Sequence, residues 1–154
     1  MKKLFFSVFF VFFFDRVSKW IISKTLSYGA VIKILPFFNL VRGENRGIAF
    51  GLFQGIAGKL IFNGLIFIIL LVIGKEALKI SKRPQCTFET IGFGFILGGG
   101  VSNLFDRVVY GKVTDFLDFH LGAYHWPAFN VADAGVTIGF LMLIISYLRG
   151  KKCF

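Results

Sequence analysis

Two aspartates, Asp115 and Asp133, stand 18 positions apart near the C-terminal end of a 154-residue chain. Asp115 belongs to Gly111-Lys112-Val113-Thr114-Asp115-Phe116. Asp133 closes Phe129-Asn130-Val131-Ala132-Asp133, just before an apolar run from Ala134 to Leu148. Taken singly, an Asp at the start of an apolar helix serves as an N-cap, and an Asp in a loop forms a turn. Taken together they offer acid–base chemistry, because two close carboxylates cannot both ionise easily, share a proton, and can activate a water. Other polar stretches favour this second reading. Asp15 and Lys19, four apart, share a helix face. Asn45-Arg46-Gly47-Ile48-Ala49-Phe50-Gly51 reads as a tight turn, and Ser102-Asn103-Leu104-Phe105-Asp106-Arg107 closes another apolar run. Cys86 and Cys153 are isolated, with no CxxC and only His120 and His125 as nitrogen ligands. They support neither a disulfide framework nor a zinc site, so no metal and no cofactor is expected.

The elements that must position these groups are membrane spans. The chain is 56% hydrophobic with 22 Phe and a mean hydropathy of +0.75, against the roughly 45–50% apolar share of a soluble domain. The expected fold is an all-α integral membrane protein of one domain, residues 1–154, with spans near 4–23, 56–74, 87–105 and 131–148. Met1 to Phe14 has the basic start and apolar core of a secretory signal, but no small-residue cleavage site follows. Trp20-Ile21-Ile22 resumes the apolar pattern, giving an uncleaved first span. Residues 24–55 hold Pro36 and alternating pieces at 30–35 and 37–41, which predict a small β element. Residues 106–130 are expected as a loop carrying the site. Glycines 92, 94 and 98–100 let the third span approach its neighbours closely.

Nine of the 18 Lys and Arg lie in residues 1–3, 75–83 and 149–154. Their density in these short stretches places both termini and the 75–86 connector in the cytoplasm. Asp15, Lys19, Asn45, Asn103, Arg107, Asp115 and Asp133 then all fall at the opposite, extracytoplasmic surface. Polar groups are costly at that depth, and their concentration on one side marks a site. The net charge of +10 reads as contact with membrane lipids and not with nucleic acid, because the basic residues flank apolar runs.

Five stretches in this order resemble the bacterial lipoprotein signal peptidases (signal peptidase II). Asp15-Arg16-Val17-Ser18-Lys19 resembles that family's Asp-Gln-x-x-Lys, and Asn45 to Gly51 its Asn-x-Gly-x-Ala-Phe-Gly. Gly98 to Arg107 is similar to its Gly-Gly-Ala-x-Gly-Asn-Leu-x-Asp-Arg, Gly111 to Phe116 to its Gly-x-Val-x-Asp-Phe, and Phe129 to Ala134 to its Phe-Asn-x-Ala-Asp-Ala. Arg16, Gly100 and Ser102 depart from the pattern. The resemblance implies a four-span aspartic endopeptidase of the bacterial cytoplasmic membrane, with Asp115 and Asp133 as the catalytic pair. It implies that Asn45, Gly47, Asn103, Arg107 and Asn130 surround the substrate, and that Asp15, Lys19 and Asp106 are structural. The implied substrate is a prolipoprotein whose cysteine already carries a diacylglyceryl group, cut just before that cysteine by a monomeric enzyme.

Two rivals remain at this stage. One is a Ser/Lys protease using Ser18 or Ser102 with Lys19, although adjacent Ser18 and Lys19 diverge on a helix. The other is a non-catalytic membrane subunit or small ion-coupled transporter, with Asp15, Asp106 and Asp133 as a relay.

Overall fold

The computed structural model describes residues 1–45, 55–150 and 153. Four long helices cover the four apolar runs: α1 (Lys2–Thr25), α2 (Gly55–Ser81), α3 (Thr87–Tyr110) and α4 (Val131–Leu148). Strands β1 (Val31–Leu35) and β2 (Phe38–Asn45) follow α1, and β3 (Val113–Leu121) and β4 (Tyr124–His125) follow α3. They pair antiparallel in the order β1-β2-β3-β4. Ala57–Ser81 and Val131–Leu148 are long and apolar enough to cross a membrane. Large apolar side chains stand exposed along the helices, among them Phe6, Phe9 and Trp20 on α1, Leu60, Ile68 and Val72 on α2, and Phe140 and Leu141 on α4. An apolar surface this extensive marks contact with lipid or a partner.

Helix α3 packs against each of the other three helices. Its glycines permit this. A Cβ on Gly98 would sit 2.6 Å from the Val8 carbonyl oxygen of α1, and one on Gly99 only 2.2 Å from the Ala132 carbonyl oxygen of α4. Backbone therefore meets backbone on both sides, the close approach that small residues give to helices in lipid. At its far end α3 stops at Gly111, which adopts φ +69° as a left-handed cap and turns the chain into β3.

The sheet is fastened to the ends of α1 and α4. Ile22, Leu26 and Phe116 form a buried cluster with Leu40, Leu117 and Val131 packed on it. Arg42 of β2 donates from Nη1 to the Ser23 and Leu26 carbonyls at 2.9 and 2.7 Å. These carbonyls end α1 and lack helical partners, so the guanidinium caps the helix while docking the strand.

Three expectations are corrected. The segment after Gly111 is not a loop but opens with the nine-residue strand β3. Helix α2 continues through the basic connector to Ser81, since lysines that end an apolar span are still good helix formers. Cys86 and Cys153 are not unpaired, as their isolation in the sequence suggests. They form a disulfide with a Cα–Cα distance of 5.8 Å, across 67 positions of sequence. The tail beyond α4 returns to the start of α3, where both cysteines are buried against Leu4, Ala77, Ile80 and Phe93.

Candidate active site

Asp115 lies on β3, and its neighbour across β2 is Gly43. A second pairing fixes what stands beside it. The Phe129 carbonyl accepts the N–H groups of Phe116 and Leu117 at 2.9 and 2.8 Å, and the Phe129 N–H donates to the Leu117 carbonyl at 3.1 Å. The chain immediately before α4 is thereby pinned to the strand that carries Asp115. Asn130 follows as the N-cap of α4, and Asp133 occupies the third helical position. Asp133 is therefore not the cap itself, as a lone acid before an apolar helix would be. The two form a reciprocal capping box: the Asp133 N–H donates to Asn130 Oδ1 at 3.0 Å, and the Asn130 N–H donates to Asp133 Oδ2 at 3.2 Å.

That cap joins the two acids. Asn130 Nδ2 donates to Asp115 Oδ1 at 2.7 Å and to Asn103 Oδ1 at 3.3 Å. Asn103 Nδ2 donates in turn to Asp133 Oδ1 at 2.8 Å. Asp115 and Asp133 thus share two asparagine intermediaries, both buried. Asn45 also hydrogen-bonds Asp115. Burial drives the Asp115 pKa up to about 6, with the negative charge of Asp133 adding to the rise, against hydrogen bonds from Asn130 and Asn45 and the charge of Lys19. At mildly acidic pH this carboxyl keeps its proton.

Behind the asparagines stands a buried ionic cluster. Lys19 Nζ contacts Asp15 Oδ2 at 2.6 Å, Asp106 Oδ2 at 2.7 Å and Asn103 Oδ1 at 2.9 Å. Asp15 Oδ1 accepts the Ala132 N–H at 2.8 Å, inside the first turn of α4. Residues of α1 and α3 therefore hold both Asn103 and the start of the helix that bears Asp133. Two of the three departures from the family pattern find partners in this cluster. Ser102 is fully buried and its Oγ donates to Asp15 Oδ2 at 2.6 Å. Arg16 Nη1 pairs with Asp106 Oδ1 at 2.5 Å, and its guanidinium lies 5.2 Å from the Phe105 ring centroid. Gly100 faces the flexible end of Leu70.

Arg107 stands apart from this cluster. It feels the charges of Asp133, Asp115 and Asp106 and lies 5.5 Å from the Phe62 ring centroid of α2. Its Nε is buried with no hydrogen-bond partner among the described residues. Gly47 and the other residues of its turn after Asn45 lie outside the described residues. His120 and His125 stack ring on ring at 4.8 Å, and His125 Nδ1 meets Asp118 Oδ1 at 2.9 Å. Among the described residues, those named from sequence lie on α1, β2, α3 and β3 and at the start of α4. The reading missed Ser102 as a ligand of Asp15 and the strand that carries Asp115. The Asx-x-x-Asp spacing of Asn130 and Asp133 was the available signal for the cap.

The fold of this chain is shared with bacterial membrane enzymes of known structure. Two such structures, described as bacterial membrane enzymes solved by the in meso method at 2.3 and 1.9 Å resolution, superpose on this chain with TM-scores of 0.77 and 0.80. They are 30% and 29% identical to it. The first alignment covers 97% of this chain and 89% of the other, and the second covers 98% and 96%. The chain belongs to the signal peptidase II family, whose model, described as "Signal peptidase (SPase) II", matches residues 7–149. Relatives include a lipoprotein signal peptidase of Burkholderia thailandensis, 41% identical, and one of Burkholderia cenocepacia, 44% identical. Each aligns over 141 residues, 90% of this chain and 83% of the relative.

Proposed function

We propose that this chain is an aspartic endopeptidase that removes the signal peptide from diacylglyceryl-modified prolipoproteins, cutting just before the lipidated cysteine. The observation that carries the reading is Asn130, whose amide and backbone engage Asp115 and Asp133 at once. In the proposed reaction one proton serves the pair. Asp115, whose pKa is raised to about 6, carries it and hydrogen-bonds the scissile carbonyl, while Asp133 takes a proton from the attacking water. The proton on Asp115 then passes to the leaving amine, and the proton taken up by Asp133 returns to Asp115 for the next cycle.

The remaining residues divide by how fully they are used. Asn103 and Asn130 already satisfy one another and the acids, which suits positioning. The uncommitted Nε of Arg107 suits a contact with the substrate backbone or its developing oxyanion, and Asn45 beside Asp115 suits a second such contact. Asp15, Lys19 and Asp106 act as the brace beneath them. Lys19 Nζ is occupied by Asp15, Asp106 and Asn103, and the Ser102 hydroxyl donates to Asp15 and not to Lys19, so the geometry does not favour a Ser/Lys mechanism. The same pairing leaves Asp15 and Asp106 poorly suited to relay ions.

The proposal includes four membrane crossings, α1 to α4, in the bacterial cytoplasmic membrane. The termini are cytoplasmic, the sheet and dyad lie at the extracytoplasmic face, and the enzyme works as a monomer. A substrate lipid could then remain in the bilayer while its peptide bond reaches the acids. The test is cleavage of a synthetic precursor peptide bearing a diacylglyceryl-cysteine by the purified protein. Scission before that cysteine, lost in Asp115→Asn, is the expected result. Near-normal cleavage by Asp115→Asn, or solute uptake with no cleavage, overturns the proposal.

A further inference from the structure

The start of α3 holds a second group of reactive side chains, remote from the acids. Cys86 is the N-cap of α3 and Glu89 its third helical residue. This spacing turns both side chains toward the same helix end, and Cys153 returns to them from beyond α4. A sulfur from each cysteine and a carboxylate oxygen of Glu89 all lie within 4.8 Å of one another. Cys86 and Glu89 are fully buried, and Cys153 is 4% exposed. Asn103 stands 17 residues further along α3, about 26 Å at 1.5 Å per residue, so this group belongs to the other end of the bundle.

Glu89 is the unexplained member. Its Oε1 accepts the hydroxyl of Ser146, while its Oε2 is buried with no partner among the described residues. A buried carboxylate oxygen with no partner is costly, and a cation bound beside it would complete it. With the disulfide formed, no cationic group among the described residues reaches it. With the disulfide reduced, two thiols stand beside that carboxylate, and Cys86, at a helix N-terminus, has the location that favours a thiolate.

We propose that the reduced form of this cluster binds one thiophilic divalent cation, with Zn²⁺ the best match, through Cys86 Sγ, Cys153 Sγ and the Glu89 carboxylate. Thiolate sulfur and carboxylate oxygen are both zinc ligands, and these three donors leave one position of a tetrahedron open. Bond lengths of about 2.3 Å to sulfur and 2.0–2.2 Å to oxygen require ligand atoms roughly 3.5–3.8 Å apart. Once the sulfur–sulfur bond is opened, side-chain rotation reaches that spacing without moving the helices. The chemistry balances in two steps. A thiol or dithiol reductant gives two electrons and two protons to the disulfide and leaves as its own disulfide. The cation then displaces one proton from each cysteine thiol and is held by two thiolates and the carboxylate. Disulfide and metal are thus alternative fastenings for the same tail, and the metal-bound form gives Oε2 the charge it lacks. The apolar wall of Leu4, Ala77, Ile80 and Phe93 keeps water from competing for the ion.

The test uses full-length protein in detergent, freed of metal and titrated with Co²⁺ as a spectroscopic probe, then with Zn²⁺. Protein reduced with a phosphine should take up one Co²⁺ per chain, show a sulfur-to-metal charge-transfer band and tetrahedral d–d bands, and release Co²⁺ to Zn²⁺. Protein with its disulfide intact should bind none at this site. Glu89→Gln should weaken Co²⁺ binding by roughly tenfold or more, and Cys86→Ser should abolish the charge-transfer band of a two-thiolate site. Reduced wild-type protein that shows no such band overturns the proposal whether or not the variants fold, as does unchanged Co²⁺ affinity in a folded Glu89→Gln protein.

Discussion

Two helices of this protein begin in the same way and end up with opposite electrostatics. Helix α4 starts with Asn130 as N-cap and an acid, Asp133, three residues on. Helix α3 starts with Cys86 as N-cap and an acid, Glu89, three residues on. Both acids sit where the helix dipole favours negative charge. Asp133 is wrapped in fixed donors, with the Asn130 N–H on one oxygen and Asn103 on the other, and its cap reaches across to Asp115. Glu89 has a serine on one oxygen and nothing on the other among the described residues. At α4 the partners are built into the protein and set the acid for chemistry, whereas at α3 the set is left incomplete. A local motif therefore decides where an acid stands, and the neighbours that other helices deliver decide what it can do.

The contrast is broken most severely by removing the ion that organises the α4 side. Lys19→Met leaves Asp15 and Asp106 buried without their shared cation. The expected cost is about 3–5 kcal/mol of stability, read as a large drop in the thermal midpoint of the detergent-solubilised protein. A melt close to wild type would mean that the cluster tolerates the loss of its centre. Next comes Asn130→Ala, which takes the bridge from both acids while leaving them in place. Cleavage should slow by about a hundredfold through mispositioning, with a smaller loss of stability, about 0.5–2 kcal/mol, from the missing cap. Equal residual activity and wild-type stability would remove Asn130 from the account.

The pH dependence gives a finer comparison. The Asp115 pKa is raised above its unfolded value of 3.8 to about 6. The sign follows directly: the folded state holds this proton more tightly, so the stabilising effect is complete below about pH 4 and is lost as pH rises through about 6. Melts of wild type should therefore show a decline across this window that Asp115→Asn lacks. Cleavage should likewise fall above about pH 6 as the pair loses its shared proton. A profile flat from pH 5 to 8 would contradict both. The smallest effect is expected at the other helix start. Glu89→Gln keeps an oxygen to accept from Ser146 and removes a buried carboxylate that has no second partner among the described residues, so in metal-free protein it should raise stability slightly, by about 1 kcal/mol.

Much of this arrangement was legible from the chain. The four apolar runs announced the four helices, and the alternating pieces near Pro36 announced β1 and β2. Motifs in five separate stretches named the acids and the asparagines that surround them. Strand β3 was hidden because Asp115 and Phe116 are buried in succession, which erases the in–out alternation by which a half-buried strand is read. The disulfide was hidden because cysteines 67 positions apart carry no spacing signal, and only the return of the tail to α3 brings them together. Ser102 and Arg16 looked like departures from a pattern. Their partners, Asp15 and Asp106, each lie on the other of α1 and α3, and no local rule predicts such contacts.

The central claim is that Asp115 and Asp133 work as one unit through Asn130. The most direct measurement is the cleavage rate of the lipidated precursor by Asp115→Asn, Asp133→Asn and the double variant, each shown to be folded by circular dichroism. Each single change should cost about 10²–10⁴ in rate, and the double variant should be no slower than the worse single one, because a disabled pair cannot be disabled twice. Losses that multiply in the double variant, or either single variant cleaving at a near-normal rate, would contradict the account.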